Sequence, residues 1–596
     1  MSRWQKLLAA MLWLLSLGVF PYLVMGAWGE HFEALPLRLL VFAGISAGGA
    51  ALLRGLAPRW GWRGCLLASA LSNGFVYRLA IFLPDISTYP FSLGWSEASR
   101  YYYASLFFAQ RIYGVTVPLS VLHPTRYLLQ AIPFIIPNTP LWLHRAWQVF
   151  LWVATTLAAS LLIARRLRSS TLNSQPSSGE RPFPLALVVL FAFLFLLQGP
   201  VYYHLLIVVI VILWGVEPRR FGQSLVWVLI ASVWAGLSRI NWFPMPGLMA
   251  AALYFLEVSF RQPETAAWLL PLRRRSALFA YLLPPAVWTV AGTALAFVAQ
   301  QAYILLSGNP AEQFGSSLTS DLLWYRLLPN PTYKMGILLS IGLASLPAGV
   351  TTLAYLGRAR RALHHLRLAG LAGILAVLLG GGIVVSVKIG GGSNLHNLDA
   401  FLVLLLIVGA YAFFDRLAND QGSAAAAWPP GWQGRLAWLA ILPPLLFAIA
   451  SGGPYPQRDA VQAQADLASL RAVVTQAVQN GGEVLFIDQR HLLTFGYLGD
   501  IPLVADYELV FLTEMGMADN APYLARFHHE LAQQRFALIV THPLSVQFQG
   551  RSHEFGEEND AWVRHVSQPL LCYYQPALTL PEVNVSVYAP RAEPCQ

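Results

Sequence analysis

Charge is what this sequence has least of: Asp, Glu, Lys and Arg make up only 11% of its 596 residues. A soluble domain carries about 25%, so a water-soluble protein of this length is excluded. Cysteine is almost missing. Cys65, Cys572 and Cys595 are too few for a disulfide framework or a thiolate metal site, although Cys572 and Cys595 would pair if their segment were extracytoplasmic. No Gly-rich phosphate loop follows a strand-like run, which leaves nucleotide binding without support. No internal repeat of clear period occurs, and many transporters are built on such repeats. The net charge of +10 sits in short Arg clusters between apolar runs, not on one continuous basic face, so nucleic acid is not an expected partner.

What the chain has is apolar length: 56% hydrophobic residues and 13% aromatic ones, with a mean hydropathy of +0.53. Apolar runs long enough to cross a membrane fall at about 7–28, 36–57, 63–84, 140–163, 183–199, 201–216, 224–242, 245–260, 278–303, 335–357, 368–387, 399–417 and 434–450. The expected fold is therefore an α-helical polytopic membrane domain over 1–450 with about thirteen spans, and a large outer loop at 85–139. The Arg-rich connections "RGLAPRWGWRG", "RRLRSS", "EPRR", "RQPETAAWLLPLRRR" and "GRARRALHHLRL" all fall on one side if the N-terminus is cytoplasmic. The first run is expected to be an uncleaved signal anchor. From 451 to 596 the pattern changes to that of a small extracytoplasmic α/β domain. Its expected elements are a helix at "RDAVQAQADLASLRAVVTQAVQN", strands at "EVLFID", "IPLVAD", "FALIVTH", "LLCYYQP" and "NVSVYAP", and one long helix through "YLARFHHELAQQ".

Polar residues concentrate where these spans reach the outer surface, and ionisable groups at membrane depth are site candidates. In "SLGWSEASRYYYASLFFAQRIYG", Ser96 is an expected N-cap, and Glu97, Arg100 and Tyr101 share a helix face, with Tyr103 close by. Glu97 either complements the helix dipole while pairing with Arg100, or it or Asp85 acts as a general base. His123 and Arg126 follow in "VLHPTRYLL"; Arg126 either snorkels to lipid headgroups or binds a phosphate with its guanidinium fork. "GPVYYHLL" contributes His204 and "GLSRINWFPMPG" contributes Arg239 and Asn241. "KIGGGSNLHNLDAF" gathers Lys388, Asn394, His396 and Asp399 around three glycines, a composition suited to an anion-binding turn, or to nothing more than a helix end followed by a capped helix.

This arrangement resembles the GT-C class of membrane glycosyltransferases, which includes protein O-mannosyltransferases and lipid A aminoarabinose transferases. The resemblance covers roughly the first 450 residues as an architecture, and its motifs are short. It implies catalysis by Glu97 or Asp85 at the start of the outer loop. It also implies substrate binding by Arg100, Tyr101, Tyr103, His123, Arg126, His204, Arg239, Asn241, Lys388, Asn394, His396 and Asp399. The implied donor is a polyprenyl-phosphate-linked sugar, the acceptor an unidentified glycan, lipid or protein, and the location a bacterial plasma membrane. No cofactor is required, while Glu97 or Asp85 leaves room for a divalent cation. The chain departs from the class in having Ser96-Glu97 in place of an Asp-Glu pair, and an acidic loop after its third apolar run instead of its first. It also lacks an Asp-x-Asp pair, which favours a lipid-linked donor over a nucleotide sugar. A transporter or flippase of lipid-linked saccharides would need similar polar groups and is the competing expectation.

Overall fold

A computed structural model describes residues 2–169, 185–261, 276–359, 363–391, 395–420 and 431–595. Eight of its helices are long and apolar enough to cross a membrane: α1 (Arg3–Met25), α2 (Leu35–Leu56), α3 (Trp62–Ala80), and, after two short outer-loop helices α4 (Glu97–Ser105) and α5 (Pro124–Gln130), α6 (Leu141–Ser169). Five shorter helices belong to the same bundle: α7 (Leu185–Gln198), α8 (Tyr203–Gly215), α9 (Phe221–Gly236), α10 (Met245–Glu257) and, further on, α14 (Asp399–Phe413). The remaining long ones are α11 (Ala277–Leu306), α12 (Gly336–Ala359), α13 (His365–Ser386) and α15 (Trp432–Ser451).

Each of the thirteen apolar runs thus forms a helix, but not each forms one of spanning length. At 1.5 Å per residue, a helix of 13 to 16 residues reaches about 20–24 Å, short of a ~30 Å hydrocarbon core. Four of the short helices, α7, α8, α10 and α14, are mostly buried, while α9 keeps Val226, Ile230 and Val233 exposed. Every residue of α10 except Glu257 is buried, as is every residue of α14 except Ala410 and Phe413, which is how a helix apolar on all sides behaves in a bundle centre. The break between α7 and α8 falls at Gly199-Pro200, where the proline has no N–H to continue a helix. α9 and α11 approach so closely at Gly236 that an added Cβ would collide with the Ala296 backbone.

Two arginines, Arg367 buried and Arg166 partly so, close the bundle at the end away from α4. Arg367 donates to the carbonyls of Phe255, Leu256 and Ala418 and pairs with Asp420 at 2.8 Å. Arg166 donates to the Leu213 and Val216 carbonyls and pairs with Glu257 at 3.0 Å. The last carbonyls of α8 and α10 have no helical N–H partner, and these guanidinium groups satisfy them.

The C-terminal region is the expected α/β unit. Its elements are α16 (Ala460–Gln479), β1 (Val484–Phe486), α17 (Leu509–Met517), α18 (Ala521–Ala532), β2 (Leu538–Thr541), α19 (Gly556–Trp562), β3 (Tyr574–Leu580) and β4 (Val585–Pro590). The sheet order is β1-β2-β4-β3, with β1 and β2 parallel and the other pairs antiparallel. Two expectations fail here. "IPLVAD" joins no ladder; its Ala505 and Asp506 carbonyls instead accept from buried Arg490. The single long helix is two, α17 and α18, separated at 518–520. Cys572 and Cys595 are disulfide-bonded, tying the chain end beside β3.

This unit docks on the loops that follow α3, α11 and α13. Glu508, the N-cap of α17, accepts from Ser99 and from Tyr103 Oη at 2.7 Å. Arg326, whose side chain is fully buried, is held by Glu557 and Glu558, and Glu558 also accepts from the Gly390 N–H at 2.8 Å. Gly390 adopts φ +70°, a left-handed conformation cheap only for glycine, and a Cβ there would run into Met517.

Candidate functional site

The expectation placed on Glu97 is corrected by its surroundings. Glu97 opens α4, yet Ser96 makes no capping bond, and the partner of Glu97 is not Arg100 but Arg145 on α6. The pair is bidentate, at 3.0 and 3.1 Å, and the Leu93 N–H donates to the same carboxylate at 2.5 Å. Arg145 spends its remaining donors on the Ser87, Tyr89 and Phe91 carbonyls. Glu97 is 4% exposed. Burial alone would raise its carboxyl, but Arg145, Arg100 and the Leu93 N–H together hold it below the usual carboxylate range. A carboxylate committed this fully fastens the loop after α3 to α6, and as a proton acceptor it has neither free geometry nor basicity. Asp85, the other acidic candidate, is solvent-exposed in the turn after α3.

The polar residues converge elsewhere, around a cavity of about 770 Å³ at the junction of the bundle, its connecting loops and the C-terminal domain. Its lower wall is the last turns of α13, including Val377, Gly381 and Val385, faced by Gln300 and Tyr303 of α11. Its upper end is polar and contains His123, Arg239, Asn241, Lys388, Asn397 and Glu514. Val377 to Val385 spans roughly 12 Å of helix at 1.5 Å per residue, so a charged head and an apolar body can be accommodated together.

Arg239 lies just beyond α9 and is steadied from behind. Its Nη2 meets His396 Nε2 at 3.3 Å and donates to the Asn397 side-chain oxygen, while Nη1 stands 4.0 Å from Asp399. Asp399 in turn accepts from Trp242 Nε1 at 2.9 Å. Among the described residues, Arg239 Nη1 has no hydrogen-bond acceptor and neither polar atom of the Asn241 side chain has a partner, so hydrogen-bonding capacity is left over at the cavity. Lys388 is fixed by a short antiparallel bridge between 321–323 and 387–389, and its Nζ donates to the Ser320 carbonyl at 3.3 Å. Burial lowers its pKa, and Glu514 partly restores it.

His123 occupies a left-handed conformation, φ 50°, a strained backbone for a non-glycine residue, costing on the order of 1 kcal/mol. Its Nδ1 lies 2.9 Å from the Ser238 carbonyl. A carbonyl only accepts, so the ring proton sits on Nδ1 and Nε2 is left as an acceptor. Burial and the neighbouring Arg239 push this imidazole down to about 3, which keeps it neutral.

Two other predicted residues, Arg126 and His204, pack next to the cavity residues, whereas Tyr101 packs on His144 and Phe495. Arg126 stacks over the Tyr202 ring at 4.9 Å, His204 lies 6.1 Å from the His123 ring, and Tyr202 meets His396 edge-on at 5.8 Å. Tyr101 Oη, Arg100 Nε and both His204 nitrogens are buried without hydrogen-bond partners among the described residues. Tyr103 serves the Glu508 contact. Asn394 lies outside the described residues. Thus His123, Arg239, Asn241 and Lys388 come together at the cavity, His396 and Asp399 support Arg239, and Glu97, Asp85 and Tyr103 do not take part.

Asn397 belongs to the polar stretch "KIGGGSNLHNLDAF" that the sequence singles out, whereas Glu514 was not among the expected site residues. Glu514 is the single charged residue of the otherwise apolar α17 segment "LVFLTEMGM", a signal available in the sequence. Among the described residues, no group of three or more His, Cys, Asp or Glu side chains converges as metal ligands would. No family model and no curated protein matches the chain.

Proposed function

We propose that this chain is an integral-membrane glycosyltransferase of GT-C-like organisation, taking its sugar from a polyprenyl-phosphate-linked donor on the outer face of the membrane. The observation that carries this is the cavity itself. It pairs two cations, Arg239 and Lys388, with an apolar wall running down α13, and an amphipathic phospholipid-like donor needs both. A guanidinium with unused hydrogen-bonding capacity and a lysine ammonium are suited to a phosphate whose charge grows as it departs. In a site poor in water, each such donor contributes on the order of 3 kcal/mol to the transition state. Inversion at the anomeric carbon follows from direct displacement of the lipid phosphate by an acceptor hydroxyl.

In this reading all thirteen apolar helices cross or line the membrane domain, with the N-terminus cytoplasmic and the α/β domain outside, in a bacterial plasma membrane. The Arg-rich connections on one side support that orientation, and so does the Cys572–Cys595 bond, since disulfides persist in oxidising compartments. The experiment is to supply the purified protein, in lipid nanodiscs, with a panel of polyprenyl-phosphate sugars and acceptors and to measure lipid phosphate released. Release by wild type that falls at least 100-fold in Lys388→Ala supports the proposal. Donor that binds and crosses liposome membranes uncleaved assigns the cavity to transport.

A further inference from the structure

The cavity has one carboxylate among its described lining residues, and it does not come from the membrane bundle. Glu514 projects from α17 of the outer domain. Its Oε1 accepts from Ser316 Oγ at 2.8 Å, while Oε2 has no hydrogen-bond partner among the described residues. Lys388 and Arg239 act on it electrostatically without closing an ion pair, in contrast to Arg145 on Glu97. An acid placed in a partly buried recess is costly unless something there uses it.

We propose that Glu514 is the catalytic residue that takes the proton from the acceptor hydroxyl, so that the outer domain supplies the base to a site otherwise built by the bundle. The inference rests on the transferase reading and deepens it. In the step, the acceptor O–H proton passes to Glu514 Oε2, and the freed oxygen lone pair forms the new bond to the anomeric carbon. The bond from that carbon to the phosphate oxygen breaks, and its electron pair leaves with the polyprenyl phosphate, where Lys388 and Arg239 meet the added charge. The arrangement also sorts the two substrates. Glu514 repels a phosphate and attracts a neutral hydroxyl, while the cations do the reverse. Burial raises the Glu514 carboxyl above its ordinary value, with Ser316, Lys388 and Arg239 opposing, which makes its ionised form a better base than a free carboxylate.

The test uses the full chain in nanodiscs, with a donor that wild type cleaves, and compares Glu514→Gln and Glu514→Asp. Turnover and the affinity for polyprenyl phosphate itself are both measured. The expected result is a loss in Glu514→Gln of about 10²–10⁴ in kcat, partial recovery in Glu514→Asp, and polyprenyl phosphate bound as tightly as by wild type or more so, because a negative charge has gone. A Glu514→Gln protein within tenfold of wild-type turnover overturns the assignment and leaves the transferase reading standing. Loss of phosphate binding together with turnover also overturns it, by making Glu514 a structural residue. A wild type that cleaves no donor removes the transferase reading, and the base with it.

Discussion

Replacing Glu97 by Gln separates the two roles this residue could have. The substitution keeps the shape but removes the charge opposite Arg145, whose side chain is fully buried. Three donors now converge on the carboxylate, from Arg145 Nε, Arg145 Nη2 and the Leu93 N–H. An amide oxygen can serve one side of that fork, and its NH₂ would face a donor on the other. Breaking a buried pair costs about 3–5 kcal/mol, which at 1.4 kcal/mol per tenfold is a hundredfold to a few thousandfold in the local opening equilibrium. The assay is amide hydrogen exchange across 87–105 in nanodiscs, with turnover measured on the same samples. Exchange should accelerate by that factor while kcat per folded molecule stays within a few-fold of wild type. The pH dependence has a definite sign. The folded carboxyl titrates below its unfolded value of about 4.3, so its contribution is complete above that value and is lost as the pH falls through the folded pKa. Wild type and Glu97→Gln should therefore converge in exchange only well below pH ~4.3. Unchanged exchange combined with abolished turnover would refute the reasoning and return Glu97 to chemistry.

Three further outcomes are expected. Arg326→Ala leaves Glu558 without its cation and Glu557 with only the exposed Arg551 at 3.7 Å; hydrogen exchange of α19 and of 324–333 should rise at least 100-fold, since a buried partner has been removed. Reduction of Cys572–Cys595 opens a loop of sequence separation 23, worth about 3 kcal/mol by loop-closure entropy, and should lower the unfolding temperature of the outer domain without altering donor binding. Arg239→Ala should weaken polyprenyl phosphate binding tenfold or more, by loss of a charged hydrogen bond of about 1.5–3 kcal/mol, with no shift in the melting temperature of the outer domain.

How far the sequence led depends on whether an interaction is local. The helices of the bundle were readable because apolar runs of that length have few alternatives. Which of them are long enough to span and which lie buried in the bundle was not, since it depends on which faces meet lipid. Arg239, Asn241 and Lys388 stood out because charged and amide groups at the rim of apolar runs demand a polar surrounding. Glu97 misled for the opposite reason. Its nearest cation in sequence is Arg100, one helical turn away, while its true partner Arg145 arrives from a helix 48 residues on, and no periodicity encodes that meeting. Glu514 was overlooked because a lone acid in a soluble-looking domain is ordinarily solvated, and only the docking of α17 over the bundle brings it to the cavity.

The account depends most on a lipid phosphate occupying the cavity with its head at Arg239 and Lys388. The direct measurement is the affinity of wild type and Lys388→Ala for polyprenyl phosphate, with the unphosphorylated polyprenol as comparison, in nanodiscs of neutral lipid. The account predicts that wild type binds the phosphate at least tenfold more tightly than the alcohol and that Lys388→Ala abolishes this difference. Equal binding of phosphate and alcohol by wild type, or a preference for phosphate undiminished in Lys388→Ala, would contradict it.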